Sequence, residues 1–243
     1  MHRPACALFA RPEAAYSDPT MASAPTDRTR VRRVPQRGQY ERETVHAILD
    51  EALICHVGFV HDGAPVVIPT LHARVDDRLY LHGSAASRML RTLEKGLPVC
   101  VTATLVDGLV LARSAFHHSV NYRSAMVFGE AHAVKPEHER EKALELFTNK
   151  LVPGRWADVR SPSRQELKGT KVLRLALDEA SAKVRTGPPI DDDEDYDLPV
   201  WAGVLPLSTQ VAQPQPDPRL DPAVETPGYV AAWRPERNPA LLP

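Results

Sequence analysis

The spacing of apolar positions changes period several times along this chain. Over Glu41–Ala52, Val45, Ile48, Leu49 and Ala52 recur at helical spacing, which predicts a helix with one apolar face. From Ile54 the period falls to two. Ile54–Val60, Pro65–Val75 and Arg78–His82 read as strands, broken at Asp62-Gly63 and Asp76-Asp77. An Asp-Gly pair between alternating runs predicts a tight hairpin, because both turn positions take positive φ. A short helix follows over 87–95 and ends at Gly96, a favoured residue just past a helix end. Pro98–Val106 and Leu109–Ser114 read as a second hairpin around Asp107-Gly108, and Tyr122–Val134 as another strand. Pro136–Leu151 returns to helical spacing, with Leu144, Phe147 and Leu151 on one side. Lys171–Glu179 and Ala182–Arg185 are strand-like again.

Short strands joined by Asp-Gly turns, with few helices, predict a mainly β fold: an antiparallel, Greek-key-like barrel or sandwich. Barrel closure would remove exposed strand edges. Residues 1–36 carry Arg, Pro, Ala, Ser and Thr without an apolar period and are expected to be a disordered extension, with Met21 an alternative start. The folded domain is expected over 37–186. The segment from Gly187 onward holds 12 of the 23 prolines and opens on Asp191-Asp192-Asp193-Glu194-Asp195, expected to be solvated coil. Its stretch Leu198–Leu207 is apolar enough to dock, so 187–207 is expected to be an ordered, irregular arm and 208–243 a Pro-rich tail.

A net charge of -1 gives no general drive toward nucleic acid or anionic membrane. No apolar run is long enough to span a bilayer, and Met1–Thr20 lacks the apolar core of a secretory signal. Cys6, Cys55 and Cys100 fit no zinc spacing, and the last two sit in apolar strands. A reducing, cytoplasmic compartment is expected.

The most informative stretch is His82-Gly83-Ser84-Ala85-Ala86-Ser87-Arg88, between a strand and a helix. Glycine permits close backbone approach, two hydroxyls sit at a helix start where free N–H groups favour an anion, and Arg88 adds donors suited to phosphate. This is a phosphate cradle or an ordinary helix start capped by Ser84. His72, His82, His117 and His118 invite a metal, but no Glu-x-x-His or Cys-x-x-Cys accompanies them, and no metal is expected. His82 borders the cradle and is the best of the four for contact with a cofactor or substrate. Lys183 and Arg185 alternate on a strand and share a face, either solvated or beside an anionic group. Trp201 either stacks on a ligand or anchors the arm. No nucleophile–base pair stands out, so no catalytic residue is assigned.

The order of these features resembles the FMN-binding split-barrel proteins related to pyridoxamine 5'-phosphate oxidase, and within them the flavin-nucleotide-binding, nitroimidazole-resistance-like branch. The resemblance rests on Val67-Ile68-Pro69-Thr70-Leu71-His72, Leu79-Tyr80-Leu81-His82-Gly83-Ser84 with Ser87-Arg88, Asp107-Gly108-Leu109-Val110-Leu111-Ala112-Arg113-Ser114, Asn121-Tyr122-Arg123-Ser124 and Lys183-Val184-Arg185-Thr186-Gly187-Pro188-Pro189, and covers about residues 30–207. It implies a homodimer with FMN at the subunit interface. The flavin ring would lie by Pro69, Thr70 and Leu71, and the phosphate by Gly83, Ser84, Ser87 and Arg88. Asn121, Arg123 and Ser124 would complete the site, with His82, Lys183, Arg185 and Trp201 near it. It implies an FMN-dependent oxidoreductase reducing a small molecule with electrons from NADH or NADPH, or else a non-catalytic flavin carrier or sensor, or a haem- or deazaflavin-binding relative. The tail has Trp233-Arg234-Pro235 where the vitamin B6 oxidases carry an Arg-x-His pattern, so turnover of pyridoxamine phosphate is not expected.

Overall fold

The structure, a computed structural model, describes residues 25–234. Chain order runs β1 (Gly38–Gln39), α1 (Arg42–Glu51), β2 (Ile54–His61), β3 (Ala64–Val75), β4 (Arg78–Ser84), α2 (Arg88–Leu93), β5 (Pro98–Leu111), β6 (Ser119–Glu130), β7 (His132–Ala133), α3 (Glu137–Leu151), α4 (Arg164–Gly169), β8 (Thr170–Ala176), β9 (Glu179–Arg185), β10 (Gly203–Pro206) and α5 (Gly228–Ala231). The strands pair antiparallel in the order β1-β9-β6-β5-β2-β3-β4-β8-β7, with β10 added to β5. The path does not close on itself, as a split barrel requires. Across the split, β6 comes close to β8: a Cβ on Gly129 would stand 2.8 Å from Leu175 Cδ1.

The β2–β3 turn has the expected chemistry. Asp62 and Gly63 both have positive φ (49° and 77°), and His61 pairs with Ala64 across them. The second Asp-Gly pair behaves differently. β5 runs unbroken through Asp107-Gly108, and its register with β6 shifts between Val106 and Gly108. The expected hairpin is a β-bulge, which turns Asp107 into the interior. One edge of β5 changes partner along its length: Val99–Thr102 pair with β2, and Gly108–Leu111 pair with β10. The arm therefore ends in a strand rather than in irregular chain.

Inward residues of β2, β4, β5, β6 and β8 make the main core: Val57, Leu79, Leu81, Val101, Val127 and Leu173 are all essentially inaccessible. The apolar faces of α1 (Val45, Ile48, Leu49) and α2 (Met89, Leu90, Leu93) join it. A second, smaller core of Ala73, Tyr80, Val134, Ala143, Phe147 and Val172 lies between α3 and strands β3, β4 and β8.

Two further expectations need correction. Residues 25–36 are ordered, held by Arg28 to Glu179, by Thr26 Oγ1 donating to Glu179 Oε1 (2.8 Å), and by Val31 N–H donating to Tyr40 Oη (2.9 Å). The acidic run is not all solvated. Asp191 is buried and accepts from both the backbone N–H and the guanidinium of Arg113, each at 3.0 Å, tying the arm to the end of β5.

Candidate functional site

Beside the small core lies a pocket of about 430 Å³. Leu71, Leu144, Phe147, Leu151 and Trp156 give it an apolar lining, and His82 is its one imidazole. Arg160 and Glu166, also in the lining, are paired with each other at 2.6 and 2.8 Å. Glu166 in addition closes a capping box with Ser163 at the start of α4. His82 lies against Phe147, ring centroids 4.0 Å apart. Its Nδ1 is buried without a hydrogen-bond partner. Burial lowers its pKa, so the imidazole is neutral at neutral pH. A neutral imidazole in a pocket of mainly apolar lining is suited to ligating a metal centre or to exchanging a proton with a bound molecule.

The strand-to-helix turn follows directly. The helix is capped by Ser87, not Ser84: Ser87 Oγ accepts from Leu90 N–H at 3.5 Å. Ser84 Oγ accepts from Ala86 N–H at 3.2 Å. Both hydroxyls thus satisfy local backbone and keep their own proton to donate. Arg88 is exposed. A Cβ on Gly83 would come within 3.2 Å of Leu90 Cδ1, so α2 packs down on this glycine.

The remaining expected residues separate into distinct places. Ser124 and Lys183 are cross-strand partners on the outer face of β6 and β9. Following the register through β5 and β2, Pro69 lies on that face too, opposite His56. Thr70 pairs with the buried Cys55 and points the other way, and Leu71 lines the His82 pocket. Asn121 and Arg185 bind each other and the start of the arm: Asn121 Nδ2 donates to Gly187 O (3.1 Å), and Arg185 donates to Gly187 O and Pro188 O (both 3.3 Å). Trp201 is 64% exposed, its ring folded over Gly203, so within one chain it neither stacks on the barrel nor covers the His82 pocket.

Arg123 is a correction. Its guanidinium is inside the barrel, 1% exposed, with two hydrogen bonds to Asp107 (2.8 and 2.7 Å) and two to Glu51 (2.5 and 2.9 Å). The hydrogen bonds to Asp107, reinforced by Glu51, raise its pKa further despite burial. It is the hub of a structural ion-pair network and is turned away from the face carrying Ser124.

Sequence reasoning missed the basic segment Arg28–Arg33, which lies over the outer face of β6 and β9. Its density of arginine was the available signal. Among the described residues, His117, Asp192 and Asp195 bring three potential metal-ligand atoms within 4.8 Å of one another. His117 Nε2 and Asp192 Oδ2 are 3.2 Å apart, and both acids are partly or fully open to solvent.

A family model described as pyridoxamine 5'-phosphate oxidase matches residues 41–184. Among solved structures, the flavocytochrome Anf3 of Azotobacter vinelandii is 45% identical, covers 87% of this chain and 99% of its own, and superposes with a TM-score of 0.83. An FAD- and haem-binding protein of Mycobacterium smegmatis is 38% identical over 80% of this chain and 95% of its own, with a TM-score of 0.77. A candidate 5-nitroimidazole antibiotic resistance protein of Bacteroides thetaiotaomicron is 25% identical over 60% of this chain and 86% of its own, with a TM-score of 0.50. No curated protein matches.

Proposed function

Because the chain belongs to the pyridoxamine 5'-phosphate oxidase family, we propose that it is a flavin-binding redox protein that also holds haem, working as a cytoplasmic homodimer on a small molecule. The observation that carries the haem part is the His82 pocket: a cavity of about 430 Å³, lined mainly by apolar side chains, with a half-buried neutral imidazole lying against Phe147. The relatives at 45% and 38% identity, a flavocytochrome and an FAD- and haem-binding protein, support the same reading.

His82 would hold the haem iron, and Leu71, Leu144, Leu151 and Trp156 would keep water from it. Ser84, Ser87 and Arg88 would hold a flavin phosphate, by hydroxyl protons and a free guanidinium. Pro69, Ser124 and Lys183 would meet the flavin from the outer face of a second subunit, where the Lys183 ammonium favours negative charge on the ring. A flavin supplies two-electron chemistry when bound, and a haem one-electron chemistry. NADH or NADPH is the expected electron donor. The sequence resemblance favours FMN, and the mycobacterial relative favours FAD. Chromatography of the released cofactor decides between them.

The absorption spectrum of the purified protein tests this reading. Flavin bands with a Soret band are expected, and His82→Ala should lose the Soret band while keeping the flavin. Protein that stays colourless when expressed with both cofactors available refutes it. Stopped-flow reduction by NADH or NADPH separates an oxidoreductase from a non-catalytic flavin carrier. Light scattering should report about twice the 26.9 kDa chain mass.

A further inference from the structure

The segment Arg28–Arg33 roofs a second pocket, of about 380 Å³, whose floor is the outer face of β6 and β9. That volume falls within the range of small-molecule sites, about 300–1,000 Å³. Its lining contains five cationic side chains (Arg28, Arg30, Arg32, Arg33 and Lys183) and no carboxylate. Arg28 is neutralised by Glu179 and Arg32 by Asp27, both outside the lining. Arg30, Arg33 and Lys183 have no carboxylate partner among the described residues, so the cavity carries uncompensated positive charge. Four hydroxyls, on Thr29, Tyr122, Ser124 and Ser181, stand among these cations, and Met126 and the Tyr122 ring offer apolar surface.

A second, independent feature lies on the same strand. Arg185 shares the outer face of β9 with Lys183, pairing across to Tyr122 as Lys183 pairs to Ser124. It is 5% exposed, its Nε has no partner, and its other donors reach only neutral oxygens of Asn121, Gly187 and Pro188. A buried cation without a counter-charge is costly. Its cost falls if a ligand brings negative charge to this face.

We propose that this cleft binds the phosphate groups of a nucleotide, with the unpaired cations Arg30, Arg33 and Lys183 as its anion contacts. A diphosphate suits it: multiple negative charges for guanidinium groups, further oxygens for the hydroxyls, and an attached ribose and base for Met126 and Tyr122. That chemistry has two sources here, the adenylate end of a bound FAD and a nicotinamide nucleotide bringing electrons. The proposal shares Ser124 and Lys183 with the flavin reading, and the test lets the two fail separately.

The test is calorimetric titration of the purified full-length protein with ADP at low salt, as isolated and after flavin removal. ADP binding only after flavin removal identifies the occupant as the diphosphate of FAD. Binding to the protein as isolated, with NADPH competing, identifies the reductant. In either case Arg30→Gln with Arg33→Gln should weaken ADP at least about tenfold, a loss of about 1.4 kcal/mol. Lys183→Met should do the same, and Arg219→Gln should change nothing. Arg30 and Arg33 are exposed, so their replacement leaves the core intact. ADP that binds neither form, or binds the double variant as well as the parent, overturns the proposal. A colourless protein that binds ADP through these residues would refute the flavin reading alone.

Discussion

Replacing Arg123 by methionine removes the cation that serves two buried carboxylates. The side chains of Glu51 and Asp107 are 10% and 6% exposed, and Arg123 itself is 1% exposed. In the variant these carboxylates would face one another across the space the guanidinium filled. Breaking a buried ion pair on one side costs about 3–5 kcal/mol, mostly the penalty of the stranded charge. Typical total stability is about 5–15 kcal/mol, so Arg123→Met should leave a folded but marginal protein. At an m-value of about 4–6 kcal/mol/M, the guanidinium chloride midpoint should fall by about 0.5–1 M. The assay is equilibrium denaturation read by circular dichroism and tryptophan fluorescence, whose transitions must coincide for the arithmetic to hold. A triple variant, Glu51→Met, Asp107→Val and Arg123→Met, removes all three charges and should recover most of the loss. A midpoint unmoved in Arg123→Met, or a triple variant weaker than the single one, would refute the network reasoning.

Acid should act through His72, whose Nε2–H donates to Leu49 O (2.8 Å) and which is fully buried. Burial, helped by Lys150, lowers its pKa from 6.5 to about 4, so between these values only the unfolded chain takes the proton. The stability from a neutral His72 is whole above pH 6.5 and falls by about 3 kcal/mol as pH drops to 4. A His72→Gln variant that keeps the same acid sensitivity over that window would disprove it. Arg88→Ala should weaken FMN at least about tenfold and leave riboflavin affinity nearly unchanged; equal losses in a fluorescence titration would remove Arg88 from the phosphate. Ending the chain at residue 198 deletes β10 and should make the protein self-associate, whereas ending it at 210 should not. Sedimentation that finds both truncations equally well dispersed would contradict a protective role for β10.

The barrel was legible where its determinants are local. Asp62-Gly63 and the alternation around it specify a hairpin within a few residues, and the α1 face is set by its own spacing. The same dipeptide at 107–108 misled because its conformation depends on a distant partner: Asp107 turns inward to meet Arg123, and β10 lies against Gly108, where a Cβ would stand 3.0 Å from Val204. The family resemblance puts Arg123 at the ligand, and a lone arginine in a strand gives no sign of which carboxylates await it. The N-terminal segment was unreadable for a related reason. Its anchors are an ion pair and hydroxyl contacts to Glu179, which leave no apolar period. The capping box at Ser163 and Glu166 was readable and marks a helix that the apolar pattern alone does not show.

The change of partner along β5 has a consequence for synthesis. Gly108–Leu111 leave the ribosome about 95 residues before the β10 strand that covers their edge. At about 5–20 residues per second, the nascent chain carries that edge uncovered for roughly 5–20 s. During that interval its backbone can pair with another nascent chain on the same message. Slow translation through 112–206 would lengthen the exposure, and chaperone demand should follow the elongation rate over that stretch more closely than the stability of the finished fold.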